Sequence, residues 1–541
     1  MQKLTIFLLL IIVCFSCAEK EQVDMILTNA KVYTVDAQFS NAEAFAIKDG
    51  KFVAVGTTEE IQGKYEASET LNVNGNTILP GFIDAHCHFY GLGLNKQSVD
   101  LIGTKSYDEV IERIVAFQKE KSTPFIIGRG WDQNDWEVKE FPTKERLDVL
   151  FPDTPIALTR VDGHAYLVNQ KALDMAGITS ETKIEGGEIQ LKNGKLTGIL
   201  VDNPMDLIDK VIPQPNRTQQ IQALQDAQTE CLSYGLTTVN DAGLNRDVIN
   251  LIDSLQKAEA LKIRMYAMIS NTPENVEYYI NKEPYKTDYL NVRSFKVYGD
   301  GALGSRGAVL KESYTDKENH FGAMVISPEE LSKLAARIAK TKYQMNTHAI
   351  GDSANYQVLK TYAKVLEGQT NRRWKIEHAQ VIDEPDFEIF KNENIIPSVQ
   401  PTHATSDMYW AGDRLGEHRE KGAYAYKKLL NLSGKVALGT DFPVEYVSPF
   451  KTFYAAVARK DSKHYPEGGY QKENALSREE TLKGMTIWAA YSNFEENEKG
   501  SIEPGKFADF IILDQNIMEI PENDILKATV KSTYIAGKKV K

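Results

Sequence analysis

Eight short apolar runs alternate with segments of helical spacing along the middle of the chain. The intervening segments 218–234, 328–342 and 353–367 place apolar residues at the spacing of amphipathic helices. Alternation of strand and helix predicts a parallel sheet, and eight such units predict an α/β protein whose sheet closes into a (β/α)₈ TIM barrel. A doubly wound open sheet is the alternative. The predicted strands cover residues 77–84, 236–241, 262–269, 294–299, 343–348, 374–378, 395–400 and 436–441.

The first two predicted strands lie unusually far apart in the sequence. A structureless loop of that length is improbable, so we expect an inserted subdomain over about residues 90–215, above the barrel mouth. Residues 22–76 and 446–541 contain further β-like runs, with turn signals such as 48–51 and 536–538. We expect both termini to form one small β-sandwich, with C-terminal helices, beside a barrel of residues 77–445.

A His-x-His pair, His86 and His88, follows the first apolar run. Successive strand side chains point to opposite faces, so both imidazoles share one face and can bind one metal ion. Imidazole nitrogen suits zinc and similar divalent metals. The alternative is two chance histidines at an exposed strand end.

Four further polar residues lie in or at the ends of later predicted strands. His348, His378 and Asp441 lie at the ends of apolar runs, where barrel enzymes keep their catalytic groups. Lys296 lies inside a strand-like run, and burying a lysine is costly unless it is paired or chemically altered. These positions indicate a site at the carboxyl end of the barrel.

Short motifs are spread along the chain: GWD at 130–132, DGHA at 162–165, GLTTV at 235–239, DGALGSR at 300–306, HAIGD at 348–352, IEHAQ at 376–380, GTD at 439–441 and GSIEPGKFAD at 500–509. With them the chain resembles the amidohydrolase superfamily, and specifically the amidohydrolase family 3 group that includes N-substituted formamide deformylases. The resemblance extends from about Val23 to the C-terminus.

The resemblance implies a ligand set for one or two divalent ions, with zinc preferred: His86, His88, Lys296, His348, His378 and Asp441. In relatives with two metals, the lysine of strand four is carboxylated and bridges the ions. The alternative for Lys296 is an unmodified lysine that pairs with Asp300 or Glu377.

The implied activity is metal-dependent hydrolysis of a carbon–nitrogen bond other than a peptide bond, in a small amide, N-formyl compound or cyclic amide. An activated water would attack the carbonyl carbon, and Asp441 would act as general base and then general acid. The alternative for Asp441 is a pure ligand or a helix N-cap. Other classes remain open: a catalytically silent or solute-binding surface lipoprotein, or a metal-dependent deaminase or isomerase.

Five residues are candidates for substrate contact. Trp131 and His164 lie in the expected insert and could line the mouth, although His164 could instead hold an insert loop in place. Arg306 could clamp a carboxylate or carbonyl oxygen. Gln400 and His403 are candidates by their location at the end of strand seven. Three other histidines lie in polar runs and are expected to be solvated: His320, His418 and His464.

Composition and the N-terminus indicate the setting of the protein. A net charge of −12 argues against nucleic acid and against an acidic membrane surface as partners. Residues 1–17 read as a signal peptide for export, with Cys17 as a lipid-attachment cysteine in the cell envelope. Cys14 stands where leucine is usual in such signals, and a plain signal peptide cut near Ala18 is the alternative.

The remaining cysteines, Cys87 and Cys231, are assigned to a strand and a helix, so we expect no disulfide framework. Strand alternation aims Cys87 away from the histidine pair, and we expect it to pack in the interior. The expected partner is a small amide-type molecule. The oligomeric state stays open, with a homodimer among the alternatives.

Overall fold

The computed structural model describes residues 19–369, 371–393 and 395–541. The predicted signal sequence and Cys17 lie outside these residues. Within the described ranges, no helix combines the length and the hydrophobicity needed to cross a membrane.

The central sheet contains eight parallel strands in sequential order, which form a nearly closed barrel. A short strand, Tyr285–Lys286, pairs antiparallel with the fourth of them. The first and eighth strands meet through Asp84, whose Oδ2 accepts a 2.7 Å hydrogen bond from Thr440 Oγ1. The predicted TIM-type barrel is thereby confirmed. The barrel strands are Phe82–Cys87, Leu236–Leu244, Arg264–Ser270, Leu290–Tyr298, Gln344–Ala349, Lys375–His378, Ile396–Val399 and Ala437–Leu438.

Two of the predicted barrel strands have different bounds. The predicted strand 77–84 is divided at Gly81: Thr77–Pro80 pairs with a C-terminal strand, and Phe82–Cys87 enters the barrel. A Cβ atom at Gly81 would lie 2.3 Å from Thr237 Oγ1, so only glycine fits where the chain changes sheets. The eighth strand is only Ala437–Leu438, and Asp441 follows it with a left-handed φ of 62°.

Helices surround the barrel and continue to the C-terminal side. Several begin at side-chain caps; Ser327 and Glu330, for example, form a reciprocal capping box ahead of the helix Pro328–Ile338. The other helices are Phe89–Asn95, Arg217–Ser233, Arg246–Lys257, Pro273–Tyr279, Asp352–Val365, Phe387–Glu393, Pro401–Asp407, Ala411–Glu420, Tyr426–Ser433, Pro449–Ala458, Arg478–Gly484 and Ile487–Ser492, with 3₁₀ turns at Glu384–Asp386, Lys472–Asn474 and Glu522–Lys527.

An inserted unit follows the first barrel strand and is built on a six-stranded sheet. Its buried apolar residues form two clusters of their own, one around Trp131 and Leu158 and the other around Tyr166 and Leu200. The strands are Val99–Asp100, Ile126–Trp131, Ile156–Arg160, Ala165–Val168, Gly187–Lys192 and Lys195–Asp202. The helical segments are Tyr107–Lys121, Gln133–Asp135, Glu145–Leu150, Gln170–Ala176 and Met205–Asp209.

Two further sheets lie at the ends of the described chain. A four-stranded sheet contains Glu21–Thr28, Ala44–Lys48, Lys51–Gly56 and Tyr65–Asn72, beside the helix Thr58–Lys64. A six-stranded sheet combines both termini: Lys31–Tyr33, Asn41–Ala42, Thr77–Pro80, Phe510–Leu513, Val530–Ile535 and Lys538–Lys539. Aromatic rings of Phe45, Phe52 and Phe510 pack together between these sheets. A buried ion pair between Arg264 and Asp509 joins the terminal sheet to the barrel.

Candidate active site

A cavity of about 810 Å³ opens at the carboxyl ends of the barrel strands. Barrel and insert residues share its wall. Within it lie His88, Lys296, His348, His378, His403 and Asp441 from the barrel, and Arg129 and His164 from the insert. The carboxyl end of a barrel is where enzymes of this architecture place their chemistry.

Asp441 stands between two pairs of histidines. Its Oδ1 atom lies 3.3 Å from His88 Nε2 and 3.6 Å from His86 Nε2. Its Oδ2 atom lies 3.7 Å from His403 Nε2 and 3.9 Å from His378 Nδ1. Two groups that could hold a metal ion therefore share this carboxylate: His86, His88 and Asp441, and His378, His403 and Asp441.

The local backbone explains how Asp441 reaches this position. Its N–H donates a 2.8 Å hydrogen bond to the carbonyl of His86, which ties the end of the eighth strand to the first. The left-handed φ of 62° bends the chain directly after that strand. The two ends of the barrel sheet are thus joined at the residues that form the site.

The donor atoms fit a divalent cation. Asp441 Oδ1 and His403 Nε2 are buried and have no hydrogen-bond partner among the described residues. Buried polar atoms without a partner are costly, and imidazole nitrogen with carboxylate oxygen is a donor set that zinc accepts. Burial alone would raise the pKa of Asp441, but His88, His86 and His378 hold it well below its usual range. The carboxylate is therefore anionic even before a cation binds.

Glu377 fixes the orientation of His86. Its Oε2 lies 2.5 Å from His86 Nδ1, and both side chains are completely buried. Because an ionised carboxylate only accepts, Nδ1 carries the proton and Nε2 keeps its lone pair, with Lys296 Nζ at 3.1 Å and Asp441 Oδ1 at 3.6 Å. Burial raises the pKa of Glu377, but the neighbouring His86 and two lysines outweigh that effect and lower it overall.

Lys296 projects from the fourth strand into the same interior, with Nζ 3.1 Å from His86 Nε2. Burial lowers its pKa to about 8. The two carboxylates that could pair with an unmodified Lys296 have other partners. Asp300 accepts hydrogen bonds from three backbone N–H groups, and Glu377 contacts His86. Among the described residues, Lys296 therefore forms no ion pair with either carboxylate.

His348 lies beside the two groups but outside them. Its ring centre is 4.5 Å from that of His378, and it lines the cavity. Its Nε2 faces the Gly301 carbonyl at 3.4 Å and Asp300 Oδ1 at 3.6 Å. The family resemblance implied that it is a ligand, and the structure brings it next to the site with Nε2 turned toward these oxygens.

The insert contributes His164 to the cavity wall. His164 Nδ1 lies 2.7 Å from Asp202 Oδ1, and its ring centre is 5.1 Å from that of His348. The side chain faces the cavity and is also held by a contact within the insert, and its contact with substrate stays a prediction.

The two candidates after strand seven occupy different places. His403 lies in the wall beside Asp441, closer to the site centre than its location in the sequence indicated. Gln400 is buried, and its Oε1 lies 2.8 Å from His378 Nδ1. Gln400 thus positions His378. It is not among the described residues that line the cavity.

Trp131 and Arg306 need correction as substrate contacts. Trp131 is fully buried in the insert, where its Nε1 donates a 2.8 Å hydrogen bond to the Leu158 carbonyl. Arg306 is held by Asp316 through contacts of 3.1 and 2.9 Å from Nε and Nη2. Neither Trp131 nor Arg306 is among the described residues that line the cavity. A core position and an ion pair account for them instead.

The outlying histidines and cysteines complete the set of sequence candidates. His418 and His464 are exposed, whereas His320 is half-buried with Nε2 2.9 Å from the Arg306 carbonyl, so it is less solvated than expected. Cys87 and Cys231 are buried free thiols, and Cys87 Sγ contacts the Asn240 carbonyl. Cys87 packs in the interior as expected.

Sequence reasoning did not single out Arg129 or Tyr298, which both line the cavity. Tyr298 is two residues after Lys296 on the same strand, so strand periodicity could have found it. Arg129 precedes the GWD motif directly, and motif context was the available signal.

Comparison with known proteins agrees with this geometry. The model of the amidohydrolase family matches residues 69–541. The chain is 32% identical to YtcJ of Bacillus subtilis (strain 168), over 94% of this chain and 97% of that protein. It is 26% identical to the N-substituted formamide deformylase of Arthrobacter pascens, over 95% and 97% of the two chains. The crystal structure of an uncharacterized metal-dependent hydrolase from Pyrococcus horikoshii OT3 superposes with a TM-score of 0.75 at 27% identity, over 92% of this chain and 99% of that one. With its barrel and its histidine and aspartate groups, this chain belongs to the amidohydrolase family.

Proposed function

We propose that this protein hydrolyses a carbon–nitrogen bond of a small amide, N-formyl compound or cyclic amide, using one or two divalent ions, with zinc preferred. The observation that carries the proposal is the position of Asp441, whose two oxygens each face a pair of histidines at the base of a large cavity. The formamide deformylase similarity supports the bond type.

We infer separate roles for the residues that hold the metal and for the residue that transfers the proton. His86, His88, His378 and Asp441 would hold the metal, with His403 or His348 completing the coordination. A bound divalent ion would lower the pKa of water and polarise the substrate carbonyl. Asp441 would accept the proton of the attacking water and deliver it to the leaving nitrogen, a role that its position between the two pairs of histidines suits.

The buried, unpaired Lys296 has a proposed role as a carboxylated residue. Its amine would combine with carbon dioxide to give a carbamate and release one proton. The side chain would then be an anion and could join two cations, which would remove the cost of burying an ammonium group. Its distance of 3.1 Å from His86 Nε2 places the amine directly beside a proposed ligand.

Metal removal followed by an amide panel tests the proposal. The purified protein would be measured for metal content, stripped with a chelator, and reloaded with zinc, manganese or cobalt. Each form would be assayed on amides, N-formyl amines, hydantoins and N-acyl amino acids, with release of the amine as the readout. We expect stripping to abolish hydrolysis and zinc to restore it. A protein that binds no stoichiometric metal, or hydrolyses none of the panel when loaded, contradicts the proposal.

A further inference from the structure

Arg129 enters the cavity because of an irregularity in an insert strand. The strand Ile126–Trp131 pairs with the next strand in register at Arg129, and the register shifts before Trp131. Gly130 lies between them with a φ of 112°, and a Cβ atom there would meet Ile102 Cγ1 at 2.4 Å. Because of the bulge, Trp131 packs in the insert core and Arg129 lies on the cavity side. Bulges near active sites often redirect a side chain in this way.

The guanidinium of Arg129 is only partly satisfied. Nη2 donates a 2.9 Å hydrogen bond to the Val161 carbonyl, and Nε is buried with no hydrogen-bond partner among the described residues. Burial lowers the pKa of Arg129, and the nearby Asp162 and Asp441 offset this effect only in part. Removing a cation from water without a paired anion costs free energy. The guanidinium of Arg129 can therefore donate hydrogen bonds to an anionic partner.

Asp162, the carboxylate that most raises the pKa of Arg129, is already engaged. Asp162 pairs with Arg160 and accepts the backbone N–H of His164 at 3.0 Å. Arg160 also pairs with Asp132 and is thereby flanked by two carboxylates. Within the described part of the chain, Arg129 forms no ion pair, in contrast to Arg160 on the same wall.

Other acids of the cavity wall are also held by the protein. Asp202 contacts His164, and Asp209 accepts a 2.6 Å hydrogen bond from the hydroxyl of Tyr166. Asp407 accepts a 2.8 Å hydrogen bond from a tyrosine hydroxyl in the same way. These contacts leave the acids occupied and the guanidinium of Arg129 available.

From these contacts we propose that Arg129 binds a carboxylate of the substrate, so that the protein acts on small amides that carry an anionic group. A guanidinium matches the planar geometry of a carboxylate and can donate two parallel hydrogen bonds. Arg129 and Asp441 line the same cavity, and a molecule with its amide at Asp441 can extend its carboxylate toward the insert. This proposal rests on the proposed function and specifies its substrate class.

Paired probes in which a neutral carboxamide replaces the carboxylate test the assignment. N-acetylglycine is compared with N-acetylglycinamide, and N-formylphenylalanine with its amide, using zinc-loaded protein. The readouts are kcat/KM for each probe and, independently of turnover, calorimetric binding of each probe. We expect the wild type to favour the carboxylate member of each pair. In Arg129→Met this preference should fall by about ten- to a hundredfold, the contribution of a charged hydrogen bond.

Two further variants keep the comparison interpretable. Arg129→Lys retains the charge without the paired donors and should lie between the wild type and Arg129→Met. Lys105→Met removes an exposed positive charge from the cavity rim and should change the preference by less than about twofold, because exposed charges are screened by solvent. Circular dichroism and melting curves identify any variant that fails to fold, and if Arg129→Met does not fold, Arg129→Lys decides in its place.

The outcomes separate this proposal from the proposed function. Hydrolysis of neutral amides with no carboxylate preference leaves the function standing and overturns the role of Arg129. Binding of the carboxylate probes that depends on Arg129, without hydrolysis of either member, supports Arg129 and counts against the function. An equal loss of preference in Lys105→Met overturns the specific contact, as does wild-type protein that binds no carboxylate probe.

Discussion

Glu377 and His86 form a completely buried pair in which Glu377 Oε2 lies 2.5 Å from His86 Nδ1. The contact directs the other ring nitrogen toward Asp441 and Lys296. Carboxylate partners of this kind fix the ring orientation of metal-binding histidines and increase their basicity.

Glu377→Gln should weaken zinc binding by about ten- to a hundredfold, because the amide keeps an acceptor oxygen but loses the charge that supports His86. Competition with a calibrated chelator measures the affinity. Glu445→Gln is a matched control, since Glu445 lines the cavity and contacts Ser406 rather than a histidine. Equal zinc affinity in Glu377→Gln and the wild type would show that the pair does not support a metal ligand.

Lys296→Ala should bind fewer ions than the wild type and lose most of its hydrolytic activity, because the variant has no amine to form the carbamate that would hold a second ion. Elemental analysis gives the ratio of metal to protein, and labelled carbon dioxide should give a carbamate signal by carbon NMR only when Lys296 is present. Short carboxylic acids should restore part of the activity in the variant. An unchanged metal ratio together with no carbamate signal in the wild type would assign Lys296 as an unmodified amine.

Trp131→Ala should destabilise the insert by about 3–5 kcal/mol, the usual cost of removing a buried tryptophan from a packed core. Its indole is fully buried and donates to the Leu158 carbonyl. Trp410→Ala should cost less, because Trp410 is half-buried and lines the cavity. Melting temperatures and protease susceptibility of the insert compare the two. A larger loss in Trp410→Ala would contradict the core assignment of Trp131.

Periodicity was sufficient to predict the barrel and the positions of its polar residues. The alternation of strands and helices located all eight barrel strands, and strand ends located His86, His348, His378 and Asp441. These features depend on local sequence pattern, which one chain reveals without a structure.

Features that depend on tertiary contacts could not be read in this way. The bulge at Gly130 places Arg129 and Trp131 on opposite faces of the sheet. Strict alternation along a strand would instead place both side chains on the same face. Gly81 divides one apolar run between two sheets because of its close approach to Thr237. Arg306 pairs with Asp316 and does not line the cavity among the described residues. The sequence pattern did not predict this ion pair.

Cys17→Ser should release the protein from the membrane fraction, if the chain is exported and anchored by lipid at Cys17 as its sequence predicts. Fractionation with mass spectrometry of the N-terminus measures both the location and the modification. Cys14→Ser is the matched control and should leave the anchor in place. Recovery of wild-type protein in the soluble cytoplasm with Met1 intact would refute this expectation.

The role of Asp441 in proton transfer is the central claim, and the rate per bound metal in Asp441→Asn tests it most directly. Asparagine keeps an oxygen that can bind a cation but cannot accept the proton of an attacking water. Metal-loaded Asp441→Asn should therefore lose about 10²–10⁴-fold in rate, the contribution of general acid–base catalysis. His86→Ala should instead lose metal and activity together. Turnover by metal-loaded Asp441→Asn within about threefold of wild type, far less than a general base contributes, would contradict the account.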